Sequence, residues 1–281
     1  MNLQRVSIVI PHRDQPVKLQ ACLDKLLELD YGDQEILVVD NGSQVSLDFL
    51  DTYPVKLLHS DSQPSPYVAR NIGISHSSEN IIVLLDVNAL VHQGWLEKAL
   101  SLLKEDTIIG GIPQRPDLHV LDIFQRFDYL YSIIDPVDDA SLRALPATNL
   151  FFHKKVWEAV GPFPEVRSLG DMAWTIRARK KGYTLMVDPA IRFSYPFKSR
   201  KAFATKFRRL GGGKAENRFI RYPMSYVLKN FLPPSPLFVR RMQHKNHREK
   251  MELSVIQIFL LCYWVKINYG LGAMRQYTRN F

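Results

Sequence analysis

Cysteine is nearly absent from the 281 residues: Cys22 and Cys262 lie far apart, each among apolar neighbours. Neither sits in a Cys-x-x-Cys pair or a Cys/His cluster. Nothing supports a disulfide framework or a structural zinc site, and a reducing cytoplasm fits. Long apolar runs are missing too. Residues 253–265 are apolar except for Gln257, but 13 residues fall short of the ~20 that cross a bilayer. A helix packed on the core is the expectation, with an interfacial helix as the alternative. The opening MNLQRVSIVIPH lacks a basic n-region, and its short apolar run, residues 6–10, reads as a strand rather than a signal peptide. No repeat at a solenoid or propeller period occurs, and no segment is of low complexity. Repeat architectures and extensive disorder are thereby excluded.

What is present is a chain 46% hydrophobic and 23% charged, enough for one large domain or for one domain plus an extension. Net charge is +9, with a pI near 9.5. The excess is concentrated in residues 198–250, while the first half is nearly balanced. Anionic partners follow from that: nucleotide phosphates, nucleic acid or an acidic membrane surface. No nucleic-acid recognition motif accompanies the charge, so nucleic acid is not expected.

Short apolar runs alternate with helical periodicity. Residues 6–10, 35–39, 55–58, 81–85 and 107–112 read as strands. Between them, Leu19, Cys22, Leu23, Leu26 and Leu27 share one helical face, and residues 94–104 form a second amphipathic helix. This alternation predicts an α/β fold, a mostly parallel sheet flanked by helices. Three strands end in polar residues: Pro11-His12, Asp40-Asn41 and Asp86-Val87-Asn88. In open α/β sheets ligands collect outside the carboxyl ends of the strands. Asp86 alone is either a site carboxylate or a cap; three such ends together make a site. Residues 122–145 are aromatic and acidic, including Asp135, Asp138 and Asp139, and read as helix plus loop. Residues 149–152 read as a strand, 154–160 as a helix closed by Gly161, and 172–181 as a helix ended by Gly182, with Asp171 at its start. Residues 183–187 follow as a strand. A basic helix over 199–210 then stops at Gly211-Gly212-Gly213, with Pro223, Pro233, Pro234 and Pro236 beyond it.

The blocks VSIVIPHRDQ, EILVVDNGS, VARNIGI, IIVLLDVNALV, ATNLFFHKKVWEAVGPF and LGDMAWTIRARKKGY, in this order, resemble the successive signatures of the family 2 glycosyltransferases with the GT-A fold, over roughly residues 5–200. The resemblance implies a Rossmann-like GT-A domain over 1–197. Its nucleotide-sugar-binding half would be 1–112 and its acceptor half 113–197, with a basic, aromatic helical extension over 198–281. It implies inverting transfer from a nucleotide-diphosphate sugar to a glycan or lipid-linked acceptor. Polysaccharide biosynthesis at the cell envelope, on the cytoplasmic face of a membrane, is the implied setting, with the extension resting on anionic headgroups.

Carried over position by position, Asp40 falls on the aspartate that recognises base or ribose, and a carboxylate suits N–H and O–H donors. Pro11, His12 and Arg13 fall on the loop lining the base, where His12 is either a stacking ring or an exposed loop histidine. Arg70 falls on the arginine that contacts base or diphosphate, or else fixes a helix start by a salt bridge. Asn71 ties backbone together nearby. Asp86 falls on the first aspartate of the DxD motif, which holds ribose and a divalent metal. Asn88 stands where the second aspartate is usual, and Ser194 where a late histidine is usual. Both departures weaken binding of Mg²⁺ or Mn²⁺, and the basic helix becomes an alternative way of neutralising the diphosphate. Asp171 falls on the catalytic base, or is only an N-cap. The usual glutamate before it is Gly170, the acidic residue two after it is Ala173, and Arg177 keeps its place. Trp174 bounds the acceptor sugar or belongs to the core. Two rival readings remain: a nucleotidyltransferase, disfavoured by the lack of a glycine- and lysine-rich phosphate loop, and a degenerate nucleotide-sugar-binding protein.

Overall fold

In the computed structural model, residues 4–32, 34–60, 65–134, 142–166, 168–218 and 224–279 are described. Asp135, Asp138 and Asp139 of the acidic stretch, and Pro223, lie outside them. The strands are β1 (Ser7–His12), β2 (Glu35–Asp40), β3 (Lys56–His59), β4 (Ile81–Leu85), β5 (Leu90–Val91), β6 (Thr107–Pro113), β7 (Asn149–His153) and β8 (Thr184–Ser194). The helices are α1 (Pro16–Glu28), α2 (Pro66–Ser75), α3 (Trp95–Leu102), α4 (Ile123–Ser132), α5 (Lys154–Val160), α6 (Gly170–Lys180), α7 (Arg200–Arg218), α8 (Met224–Leu228), α9 (Pro236–Glu249) and α10 (Val255–Arg279). The chain divides into a sheet-bearing unit (Met1–Gln114, Ile134–Glu165, Gly170–Tyr195) and a helical unit (Arg115–Ile133, Val166–Leu169, Pro196–Phe281).

In the sheet-bearing unit the strand order is β3-β2-β1-β4-β7-β6-β8-β5. β1, β2, β3 and β4 run parallel, as do β6 and β8, while β7 is antiparallel to both its neighbours. All five residues of β4 are buried, because β1 and β7 pair on either side of it. Each such aliphatic side chain contributes about 1.5–3 kcal/mol by leaving water. α1 buries Leu19, Cys22, Leu23 and Leu26 at helical spacing, whereas Leu27, expected on the same face, is exposed. Burial pushes the Cys22 thiol up to about 12 and that of Cys262 likewise, so both behave as small apolar side chains. α2 starts where Ser65 Oγ accepts the Tyr67 amide, with Pro66 filling the first helical position. α5 ends at Gly161, whose φ of 86° a side chain would strain.

The helical unit departs from expectation at its glycines. The basic helix does not stop at Gly211: α7 continues to Arg218. These glycines let α10 come close. A Cβ at Gly211 would lie 2.0 Å from the Tyr269 carbonyl oxygen, and one at Gly272 would lie 1.9 Å from that of Arg208. Helix-breaking propensity is overridden by a contact that only glycine permits. α10 is also longer than its apolar run. It has 25 residues, and Val255–Thr278 is long and apolar enough to cross a membrane, which corrects the shorter estimate. The reason is that Asn268 and Gly270 are buried in this helix, so polar and small residues extend it. Inside the unit, the buried Asp128 carboxylate meets Lys206 Nζ at 2.5 Å and accepts the Lys198 amide at 2.9 Å. The Lys245 ammonium donates to the carbonyls of Leu130 and Ile133 at the end of α4.

Candidate functional site

Parallel pairing brings the polar strand ends together: His12 stands opposite Asp40, and Asp40 opposite His59. Asp40 is only 9% exposed. Its carboxylate accepts the Ser43 amide and hydroxyl. The Gln15 amide donates to His12 Nε2 at 3.1 Å, which leaves the ring proton on Nδ1, facing Ser43 Oγ at 3.3 Å and Asp40 Oδ1 at 3.5 Å. His12 is therefore neither an exposed loop histidine nor a ring open for stacking. It is buried at the end of β1, with both nitrogens engaged, because strand pairing with β2 carries it under the Asp40 turn. Pro11 is half-buried beside it and Arg13 is exposed, its guanidinium 3.6 Å from Asp14. The Asn41 side chain accepts the Ser65 amide at 3.0 Å, which ties the end of β2 to the cap of α2.

α2 carries the second group. Arg70, 4% exposed, donates to Asp86 Oδ1 at 2.6 Å and reaches the Ala147 carbonyl at 3.5 Å. The salt bridge and the site are thus the same feature, since the Asp86 side chain keeps 30% exposure and can meet a ligand. The turn after β4 is held by Asp86 N–H to Thr148 O and Ala89 N–H to Asp86 O. Asn71 accepts the Phe163 amide and donates to the Phe163 carbonyl, the backbone tie expected of it.

Asp171 lies in the first turn of α6. Its Oδ1 accepts the Tyr67 hydroxyl at 3.2 Å and the Met172 amide at 2.9 Å, and its Oδ2 accepts the Ala147 amide at 3.0 Å. Ala147 thus faces Arg70 with its carbonyl and Asp171 with its N–H. The adjoining segment is fixed by Thr175, whose hydroxyl binds both polar backbone groups of Leu145. Asp86, Arg70, Tyr67, Ala147 and Asp171 form one connected network. Trp174 takes no part. It is fully buried, stacked on Phe163 at 4.5 Å, with its indole N–H on the Gly161 carbonyl, so it is the core residue of the two readings. Arg177 donates to the carbonyls of Gly161 and Pro162.

For a divalent cation, the Asp86 carboxylate and Asn88 offer oxygens, and Asn88 Oδ1 is a buried acceptor with no partner among the described residues. Two oxygen donors suit Mg²⁺ or Mn²⁺ with substrate and water completing the shell. Among the described residues no three His, Cys, Asp or Glu side chains gather as a metal site. The Ser194 hydroxyl is engaged by His92 Nε2 at 3.0 Å, and burial, followed by Lys25, lowers the pKa of that histidine. The basic helix is largely committed within its own unit: Arg200 packs over Phe124 and Trp264, Lys206 pairs with Asp128, and Arg208 donates to Asn268. A shallow hollow lined by Arg5, Leu26, Asp30, Tyr31, Gln34 and Pro54 opens at the amino ends of β1 and β2, away from all these groups.

Sequence reasoning singled out Asp40, Arg70, Asp86 and Asp171, which the structure ties into hydrogen-bonded groups, but did not single out their partners Tyr67, Ser43 and Ala147. Tyr67 had a signal: it stands three residues before Arg70 on one helical face. Ala147 acts through backbone alone and had none.

The model of glycosyl transferase family 2 matches residues 7–160. Glycosyltransferase AglE of Haloferax volcanii is 26% identical, over 98% of this chain and 97% of its own length. Among solved structures, the mannosyltransferase PcManGT from Pyrobaculum calidifontis, in complex with GDP-Man and Mn²⁺, superposes with a TM-score of 0.67 at 16% identity, covering 99% of this chain and 88% of its own. S. aureus TarS superposes at 0.51 and 15% identity, over 96% of this chain and 55% of its own.

Proposed function

The chain belongs to glycosyl transferase family 2, and from that premise we propose that it transfers a sugar with inversion, from a nucleotide-diphosphate donor to a hydroxyl acceptor, with Asp171 as the base. It is a glycosyltransferase with the GT-A fold. The acceptor oxygen bonds to the anomeric carbon on the face opposite the diphosphate. The bond from that carbon to the phosphate oxygen breaks, its electron pair leaves with the nucleoside diphosphate, and the hydroxyl proton passes to Asp171. Asp40 accepts hydrogen bonds from base or ribose, with His12 and Ser43 holding its carboxylate in place. Arg70, fixed against Asp86, sets positive charge beside the departing diphosphate. Bound Mg²⁺ or Mn²⁺, held by Asp86 and Asn88, would add Lewis-acid neutralisation of that leaving group.

The observation that carries this reading is Ala147, which links the Asp171 carboxylate and the Arg70–Asp86 pair through the N–H and C=O of one residue. The base is thereby set at a fixed distance from the donor-side charges. The test is a thermal-shift panel of nucleotide-sugars with and without Mn²⁺, followed by transfer assays of Asp171→Asn. Stabilisation by a nucleotide-sugar with transfer lost in the variant is expected. Normal turnover by Asp171→Asn removes the base assignment. Pyrophosphate release from NTPs instead would make the protein a nucleotidyltransferase, and donor binding without turnover would make it a binding protein.

The acceptor in this proposal is a growing, lipid-linked glycan of the cell envelope, and the enzyme sits at the cytoplasmic face of a membrane. What supports this placement is the helical unit. α10 leaves Ile256 72% and Leu260 57% exposed, in a region with 18 Lys and Arg against three Asp and Glu over residues 198–281. Exposed apolar side chains in a region rich in positive charge suit an anionic interface. Release from membranes by carbonate is expected for a helix lying on the surface, and retention would show one that spans.

A further inference from the structure

Tyr67 stands between the two halves of the network, touching Asp171 on one side and Arg70 on the other. It is 4% exposed, so its hydroxyl is withdrawn from bulk water and needs a protein partner. That hydroxyl donates to Asp171 Oδ1 at 3.2 Å. Its ring lies under the Arg70 guanidinium, 5.5 Å from the ring centre to Cζ, and Arg70 is the residue that grips Asp86. On the remaining side the ring presses on the start of α6. A Cβ at residue 170 would lie 2.8 Å from Tyr67 Cγ and Cδ2, too close for any side chain without displacing the ring. Gly170 is therefore the residue that lets Tyr67 stand against the residue before Asp171.

A carboxylate has about four acceptor positions, and the hydrogen bonds at Asp171 are distributed unevenly. Among the described residues, Oδ1 takes two donors, Tyr67 and the Met172 amide, while Oδ2 takes one, the Ala147 amide. Asp171 is half-buried, so the residue keeps some access to solvent. We propose that Tyr67 is a positioning residue that saturates Oδ1, leaves Oδ2 as the atom that receives the acceptor proton, and registers it against the Arg70–Asp86 pair. This deepens the reading of Asp171 as the base and rests on it. Among the described residues, the titratable side chain bonded to Asp171 is Tyr67, and across its ring stands Arg70 with Asp86, on the donor side. Arg177, farther along α6, is turned to the carbonyls of Gly161 and Pro162.

The test is Tyr67→Phe, which keeps the ring, its packing on Gly170 and its contact with Arg70, and removes only the hydroxyl. The expected result is a fall of about tenfold in kcat, the loss of one ordinary hydrogen bond to the base, with the donor KM within about twofold. The acid limb of the rate–pH profile moves to higher pH, because the charged carboxylate has lost a donor. Gly170→Ala, which pushes the ring aside without touching any polar group, should give the same signature. An unchanged kcat and pH profile in Tyr67→Phe would overturn the proposal, and so would a loss confined to donor KM, which marks a structural role only. The two readings separate cleanly. If Asp171→Asn is inactive and Tyr67→Phe is unchanged, only the positioning role falls. If Asp171→Asn turns over normally, the base assignment falls, and the positioning role with it.

Discussion

The sheet-bearing and helical units use charge in opposite ways. The sheet-bearing unit carries 16 Lys and Arg against 22 Asp and Glu, and the helical unit carries 21 against six. In the first region the decisive charges are paired and concentrated at strand ends: Arg70 on Asp86, His12 and Ser43 on Asp40, Tyr67 on Asp171. In the second, positive side chains are spread along helices that meet through glycine, Gly211 against Tyr269 and Gly272 against Arg208. The first region gathers a few hydrogen-bonded carboxylates at strand ends, and the second holds most of the cations together with exposed Ile256 and Leu260. Under the proposed function the two would separate the work of chemistry from that of attachment.

That separation can be broken from either side. The largest effect belongs to the carboxylate cluster. Asp171→Asn is expected to lower kcat by about a thousandfold, the scale of a lost general base, while thermal-shift titration shows donor binding retained. Next comes the glycine contact. Gly211→Val should destabilise the protein by about 3 kcal/mol, the upper end of overpacking costs, read by urea unfolding, with donor binding to the native fraction unchanged. Smaller still is the surface. Ile256→Glu with Leu260→Glu should weaken co-sedimentation with anionic vesicles by at least about tenfold, since each buried aliphatic side chain is worth about 1.5–3 kcal/mol, and should leave turnover of a soluble acceptor intact. Loss of turnover there would show that attachment and chemistry are not separable.

The smallest effect tests a carboxylate outside the site. Glu35, at the start of β2, has its pKa raised most by burial, but the Ser7 hydroxyl, Ser78 and the Lys56 charge together outweigh that, so the net direction is down. A carboxylate lowered in the folded state stabilises above its unfolded pKa, and that stabilisation is lost as pH falls through the folded value. Glu35→Gln is therefore expected to cost on the order of 1 kcal/mol at pH 7 and nothing below about pH 3, measured as the pH dependence of urea midpoints.

The strands were legible because buried parallel strands read as short apolar runs. β4 is buried at all five positions, and its sequence IIVLL admits little else. The carboxylates at strand ends were legible because the ends themselves were. What escaped was set by tertiary contact. Nothing local tells that the His12 ring turns inward to Asp40, or that Trp174 packs on Phe163 instead of facing a ligand. The glycines of α7 read as a stop because propensity cannot foresee a neighbouring backbone 2.0 Å from where a Cβ would be. Tyr67 looked like any aromatic near a helix start, and only Gly170, distant in sequence, explains where its ring lies.

The central claim is direct displacement with Asp171 taking the acceptor proton. Proton NMR of the product formed in the first minutes of reaction, with the donor and acceptor found by screening, tests it most directly. The account predicts an anomeric configuration opposite to that of the donor sugar, and a product with the donor's own configuration would contradict it.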